Sequence, residues 1–397
     1  MQALVRCVCA VALLSAACSA QVGKPGSGAG SPSAGGAAAT SGADALQRRV
    51  LAELAVFTDW LRRYHVRGYI GEVGWPDDSR GDAARWNALA ERWYRAADRA
   101  GLPVTAWATG EWWGTGYPLA VYEDRTPPPG VDSADTQAAV IEDHPSTRRY
   151  LRGVNVAGGE FGAPTVDPTS GFSNENPGTY DQAYHYDGQA TFNFLAARGI
   201  RLVRIPFRWE RLQPALGRPL DGAELNRLRG VVHRAHRAGL RVVIDMHNYG
   251  GYYLSDGSQG VRRTIGSAQC PFGDFGDVWR RISLAFRDNA AVVGYDLMNE
   301  PAELRPVAGM APAQVWRRAS QAAVSAIRST GDRTTILVAG YEWSGVQRWA
   351  RWNPRPWIVD PVHHVRYEAH QYWDPDNSGI YAVGYAADVA DARARGY

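Results

Sequence analysis

Apolar positions along this chain follow two alternating rhythms. From Asp44, "DALQRRVLAELAVFTDWLRRYHVRG" spaces Leu46, Val50, Leu54, Phe57 and Leu61 as one helix face, with Arg48, Arg49, Glu53 and Arg62 among them, and Gly68 predicts the stop. The segment "GYIGEVGWP" then packs Tyr69, Ile70 and Val73 into a run of strand length. A helical stretch from Trp86 to Ala100 and a second strand, "LPVTAWATGEWW", follow. Six more short apolar runs come next: "YLRGVNVAG", "IRLVRIPF", "LRVVIDMHNYGG", "VVGYDLMNEP", "TTILVAGYEWSG" and "VRYEAHQYWD". Between most of them lie amphipathic stretches such as "ELNRLRGVVHRAHRAG" and "PAQVWRRASQAAVSAIRSTG". Eight strands alternating with helices predict an α/β chain closed into a (β/α)8 barrel. No glycine-rich nucleotide fingerprint follows any strand, which argues against an open doubly wound sheet.

The apolar runs end in polar or aromatic side chains, among them Glu72, Trp107, Arg204, His247, Asn299 with Glu300, and His370 with Tyr372. Strand propensity does not require this, and in such a barrel all these ends open on one face. Two carboxylates there, Glu72 and Glu300, are the minimum apparatus for cleaving a glycosidic bond, one protonated and one ionised. Fifteen Trp and nineteen Tyr add aromatic faces suited to the C–H faces of sugar rings, although packing alone uses many such residues.

Composition narrows the setting. Formal net charge is +3 with both signs interspersed, which gives no electrostatic reason for nucleic acid or an anionic membrane. Residues 1–20 carry one early Arg6 and the apolar run "CVCAVALLSAAC", too short to span a bilayer, and read as a secretory signal. Residues 21–43 are Gly, Ser, Ala and Pro and are expected to form a flexible tether, with the folded domain at 44–397. Of four cysteines only Cys270 lies in that domain, so no disulfide framework is expected. "LLSAAC" is similar to a lipobox that would lipidate Cys18, with Ser15 off pattern; ordinary cleavage near Ala17 or Ala20 is the alternative.

With these residues in view, the chain resembles glycoside hydrolase family 5, the cellulase-type retaining barrels. The Asn-Glu-Pro in "YDLMNEP" implies that Glu300 is the general acid/base and that Asn299 bonds the sugar 2-OH; "IGEVGWP" implies that Glu72 is the nucleophile. By the same resemblance Arg204 braces the nucleophile, His247 and Asn248 form a polar wall, His370 and Tyr372 stand near the nucleophile, and Trp107 is the aromatic floor. In the family the acid/base strand is fourth, the nucleophile strand seventh and the tryptophan strand eighth. Here the last two come first, so the resemblance implies a circularly permuted barrel, with residues 115–150 joining family strand 8 to strand 1. A closed barrel has no edge, so its chain can be cut between any two strands.

The expectation is an exported retaining β-glycan hydrolase, most simply an endo-β-1,4-glucanase, monomeric, with no metal and no cofactor. β-Mannanase, exo-β-glucosidase and a non-catalytic glycan-binding surface protein are the alternatives. Trp75, Trp112, Trp113, Trp209, Trp343 and Trp373 follow or end strands and are candidates for stacking further sugars. Trp60, Trp86, Trp93, Trp279 and Trp316 fall in helical patterns and should pack. "DPDNSG" lacks the closing Glu of a calcium loop, and no G-x-S-x-G elbow is present.

Overall fold

The computed structural model describes residues 35–396 except Thr115 and 127–129, with side chains from Ala45 onward. The signal segment 1–20, Cys18 and the start of the tether lie outside the described residues. The chain divides into units of residues 1–40 and 41–397, and the barrel belongs to the second.

Eight parallel strands form that barrel: β1 Arg67–Gly74, β2 Val104–Thr109, β3 Arg152–Val156, β4 Leu202–Phe207, β5 Arg241–Met246, β6 Val292–Asp296, β7 Thr335–Ala339 and β8 Val365–Tyr372. Neighbours run in chain order from β2 to β8, and β1 closes the ring between β8 and β2. The main helices are α1 Gly35–Tyr64, α2 Ala83–Ala100, α3 Thr136–Asp143, α4 Gln189–Ala197, α5 Gly222–Arg237, α6 Phe272–Phe286, α7 Pro312–Arg328 and α8 Tyr385–Ala394. The strands read as near-continuous apolar runs because both faces are covered, by barrel interior and by helices.

Helix α1 begins nine residues before the expected Asp44, so 35–43 are helical rather than part of a tether; the Ala37–Ala39 run favours this. Its buried Arg49 donates to the Trp373 carbonyl at 2.6 Å, while Gln371 returns a bond to the Val50 carbonyl at 2.9 Å. These bonds fasten α1 to the end of β8, more than three hundred residues away. Indole N–H groups fasten two further helices: Trp279 of α6 to the Leu297 carbonyl, and Trp316 of α7 to that of Ala339. The segment after β2 carries α3, whose Ala138 and Ile141 are buried, and it leads into β3 as a helical connection.

The β1–β8 pairing shifts register between Ile70 and Glu72, a bulge that re-aims the carboxylate at the strand end. Gly71 permits it, since a Cβ there would lie 1.8 Å from Glu368 Oε1.

Candidate active site

Strand alternation delivers the site side chains to one mouth of the barrel. Glu72, Trp107, His247, Asn299, Glu300 and Tyr372 line a cavity of about 190 Å³. A second cavity of about 420 Å³ shares Tyr249, Glu300 and Tyr372 with it and extends to Trp343 and Asn377. Glu300 therefore borders both cavities, while Glu72 lines the smaller one.

Carboxylate oxygens of Glu72 and Glu300 and a ring nitrogen of His370 lie within 4.8 Å of one another. Glu72 accepts from Arg204 Nη1 at 3.1 Å on one oxygen and from the Tyr372 hydroxyl at 2.7 Å on the other. Burial and the Glu72 charge push the Tyr372 phenol well above its ordinary range, so it stays a donor. His370 places Nδ1 2.8 Å from Glu300 and Nε2 3.3 Å from Glu368. Burial alone would depress its pKa, but Glu72, Glu300 and Glu368 together raise it well above the ordinary range. Glu300 itself sits at φ 42°, a left-handed conformation rare for a side chain of its size and typical of residues held for function.

Beneath this pair lies a fully buried guanidinium. Arg204 bonds Asp296 at 2.8 Å, Asn155 at 2.9 Å and Asn299 Oδ1 at 2.8 Å, and lies 3.1 Å from Asp245. The other end of the Asn299 amide donates to His247 Nε2 at 3.1 Å, and His247 Nδ1 faces Asp245 at 2.7 Å. That chain fixes the neutral tautomer of His247, with its proton on Nδ1.

Residues 154–394, more than half of the chain, match the family described as Cellulase (glycosyl hydrolase family 5). The chain belongs to glycoside hydrolase family 5. Among curated relatives, endoglucanase gh5-1 of Neurospora crassa is 28% identical over 244 residues, covering 61% of this chain and 55% of that protein. Endo-beta-1,4-glucanase B of Emericella nidulans is 28% identical over 243 residues, covering 61% and 65%. The solved endoglucanase Cel5A of Pseudomonas stutzeri is 35% identical with a TM-score of 0.50, covering 58% of this chain and 64% of that one. The alignments thus span less than two thirds of each of these relatives.

In this family 5 barrel most of the expected residues converge: Glu72, Trp107, Arg204, His247, Asn299, Glu300, His370 and Tyr372. Trp107 is half-buried, donates to the Tyr117 hydroxyl at 2.9 Å and stacks near His247 with centroids 5.8 Å apart. Asn248 does not join them. It is buried, its amide donates to both Glu210 oxygens at 3.0 and 2.8 Å, and its oxygen accepts the Trp209 N–H at 2.8 Å. Every polar atom of Asn248 is engaged in holding the loop, leaving none for a sugar. Trp75, Trp209 and Trp373 are core as well: Trp75 stacks on Trp373 at 5.3 Å, and Trp209 bonds Gln213 at 3.0 Å. Trp112, Trp113 and Trp343 remain half-exposed.

Sequence reading missed the buried layer of Asn155, Asp245, Asp296 and Glu368. It also missed Glu111, His185 and Asp187, whose ligand-type atoms lie within 4.8 Å of one another, a donor set of the kind that holds a metal ion. In this structure His185 is bonded on both nitrogens, to Glu111 at 3.0 Å and Asp181 at 2.6 Å.

Burial pushes His247 down to about 4, against the charges of Glu160 and Glu72. An unfolded histidine titrates near 6.5, so the folded state binds fewer protons between those values. His247 therefore takes away roughly 3 kcal/mol of stability as pH falls through that window. His247→Gln should flatten the pH dependence of urea unfolding there; a slope as steep as wild type would place the depression elsewhere.

Proposed function

We propose that this chain is a retaining endo-β-1,4-glucanase in which Glu72 attacks the anomeric carbon and Glu300 serves as acid and then base. The observation that carries the reading is the approach of two carboxylates, from strand ends 228 positions apart in sequence, to within 4.8 Å across a cavity. Retaining enzymes hold their carboxyls about 5–5.5 Å apart, whereas inverting ones leave about 6.5–9.5 Å for a water. Arg204 and Tyr372 hold Glu72 in place for attack, and Asn299, oriented by Arg204 and His247, faces the cavity beside it. Glu300 first protonates the leaving oxygen. It then takes a proton from the water that releases the sugar from Glu72. Two cavities that meet at Glu300, one lined by Trp107 and the other by Trp343, suit a polymer longer than a single sugar.

Glu300→Ala separates the roles. Hydrolysis of cellulose should fall by about 10²–10⁴-fold, whereas formation of the glycosyl-enzyme from a dinitrophenyl cellobioside should stay close to wild type, since that leaving group needs little acid help. Stopped-flow release of dinitrophenol measures it, and equal losses on both substrates would remove the assignment. Product analysis on cellulose, lichenan, mannan and xyloglucan decides the glycan, because cleft loops rather than the catalytic set govern that choice. Binding without product on any of them would favour the non-catalytic reading.

The permuted order is part of the same proposal. The family match begins at Val154 on β3, leaving Glu72 and Trp107 ahead of it. Counted from β3, the strand before Glu300 is the fourth and the strand of Glu72 the seventh. Pairing of the first and last strands does not bear on order, since every closed barrel has it. A chain re-cut to start before Tyr150, with residue 397 joined to Asp44 by a Gly/Ser linker, should fold and keep cellulose hydrolysis within about tenfold, as closed barrels tolerate relocated ends. Insoluble or inactive product from several linker lengths would count against it. Export rests on residues 1–20, with Cys18 as a lipid attachment point; radiolabelled palmitate tests the latter. Among the described residues no helix is long and apolar enough to cross a membrane.

A further inference from the structure

The opposite end of the barrel carries a hollow that the cleft does not use. Between the last turns of α1 and α2 and the start of β1 lies a recess of about 740 Å³, lined by Arg62, Arg67, Arg99 and Arg366 and by no carboxylate. Arg366 also lines an adjoining hollow of about 210 Å³ beneath the strand starts, where Arg148 and Arg149 are its cationic neighbours and again no acid contributes.

Helix ends account for part of this charge. Arg62 and Arg99 stand in the last turns of α1 and α2, where a cation offsets the helix dipole, and Arg62 also pairs with Asp59. Arg67 and Arg366 have no such reason. They begin the adjacent strands β1 and β8 at directly paired positions, which sets two like charges side by side. Arg366 is half-buried and its guanidinium donates to the Gly68 carbonyl at 3.2 Å. Burial and the charge of Arg67 lower its pKa below the ordinary arginine range. Among the described residues neither arginine forms an ion pair.

Two adjacent cations in a carboxylate-free hollow lack a counter-charge, and guanidinium groups match phosphate oxygens two at a time. The hollow is also of the size that takes a small molecule around such a group. We propose that this recess binds a phosphate-bearing ligand through Arg67 and Arg366, with Arg99 at its rim. A phosphate carried by a soluble molecule and a phospholipid headgroup share that chemistry. The site lies away from the cleft and does not depend on the glucanase reading.

Isothermal titration of the full chain with pyrophosphate, at matched ionic strength in chloride, tests it. One saturable site is expected, with Kd raised about tenfold or more in R67Q and in R366Q, while cellulose hydrolysis stays at the wild-type rate. Arg67 is exposed, so R67Q keeps the test open even if R366Q fails to fold. Co-sedimentation with phosphatidylglycerol vesicles separates the sources. Vesicle binding that pyrophosphate displaces supports a headgroup ligand, and pyrophosphate binding without vesicle binding supports a soluble one. Absence of saturable heat at millimolar pyrophosphate, or equal affinity in R67Q and wild type, overturns the proposal.

Discussion

Replacing Glu72 with Gln should lower turnover of cellulose and of a dinitrophenyl cellobioside alike, by about 10⁴-fold or more. A good leaving group cannot compensate, because the lost step is attack on carbon rather than proton delivery. Gln keeps the size of the side chain, so the cavity walls of Trp107, Tyr117 and Tyr372 stay where they are. Its amide can accept from Arg204 or from Tyr372 but not from both, and the carbon that would have bonded Glu72 faces a nitrogen of negligible nucleophilicity. The direction of rescue adds a second check. Azide supplied to Glu72→Ala should attack from the vacated side and give the α-glycosyl azide, whereas azide supplied to Glu300→Ala should intercept the glycosyl-enzyme and give the β product. Anomeric coupling constants in proton NMR distinguish them. Residual Glu72→Gln activity within tenfold of wild type on the aryl substrate would sink the nucleophile assignment.

The barrel was legible because its strands are short apolar runs alternating with amphipathic helices, and the two carboxylates proposed as catalytic were legible because they sit near the ends of those runs. One layer deeper, the reading failed for a reason that strand geometry makes plain. Asp245 and Glu368 lie two residues before His247 and His370, hence on the same side of their strands, and an acid inside an apolar run was the available signal. Asn248 stands one residue beyond His247, and that single step turns it away from the cavity and onto Glu210. Tryptophans after strands divide without any local mark: Trp343 reaches the cleft, whereas Trp75 and Trp373 fold back and stack between helices, a distinction set by tertiary packing. Paired Arg67 and Arg366 were invisible for the same reason, since nearly three hundred residues separate two side chains that register makes neighbours.

Arg204→Met should destabilise the protein by about 3–5 kcal/mol at neutral pH, the usual consequence of leaving buried carboxylates without their cation. Asp245, Asp296 and Glu368 are fully buried and surround that guanidinium, with Glu72 above it. Burial pushes Asp245 and Glu368 well above the ordinary carboxylate range even with Arg204 present. Removing the arginine raises them further, and the sign of the pH dependence follows. A carboxyl that binds its proton more tightly when folded than when unfolded favours the folded state at low pH and loses that advantage as pH rises toward the folded pKa. The deficit of the variant should therefore shrink as the medium is acidified from pH 7 toward the carboxylate range, which urea unfolding of both proteins across that interval measures. A deficit that stays constant with pH would mean that lost packing volume, not uncompensated charge, is what the substitution removes. Activity carries a separate signature: Asn299 and Glu72 both lose a donor, so kcat should fall even where acidification restores the fold.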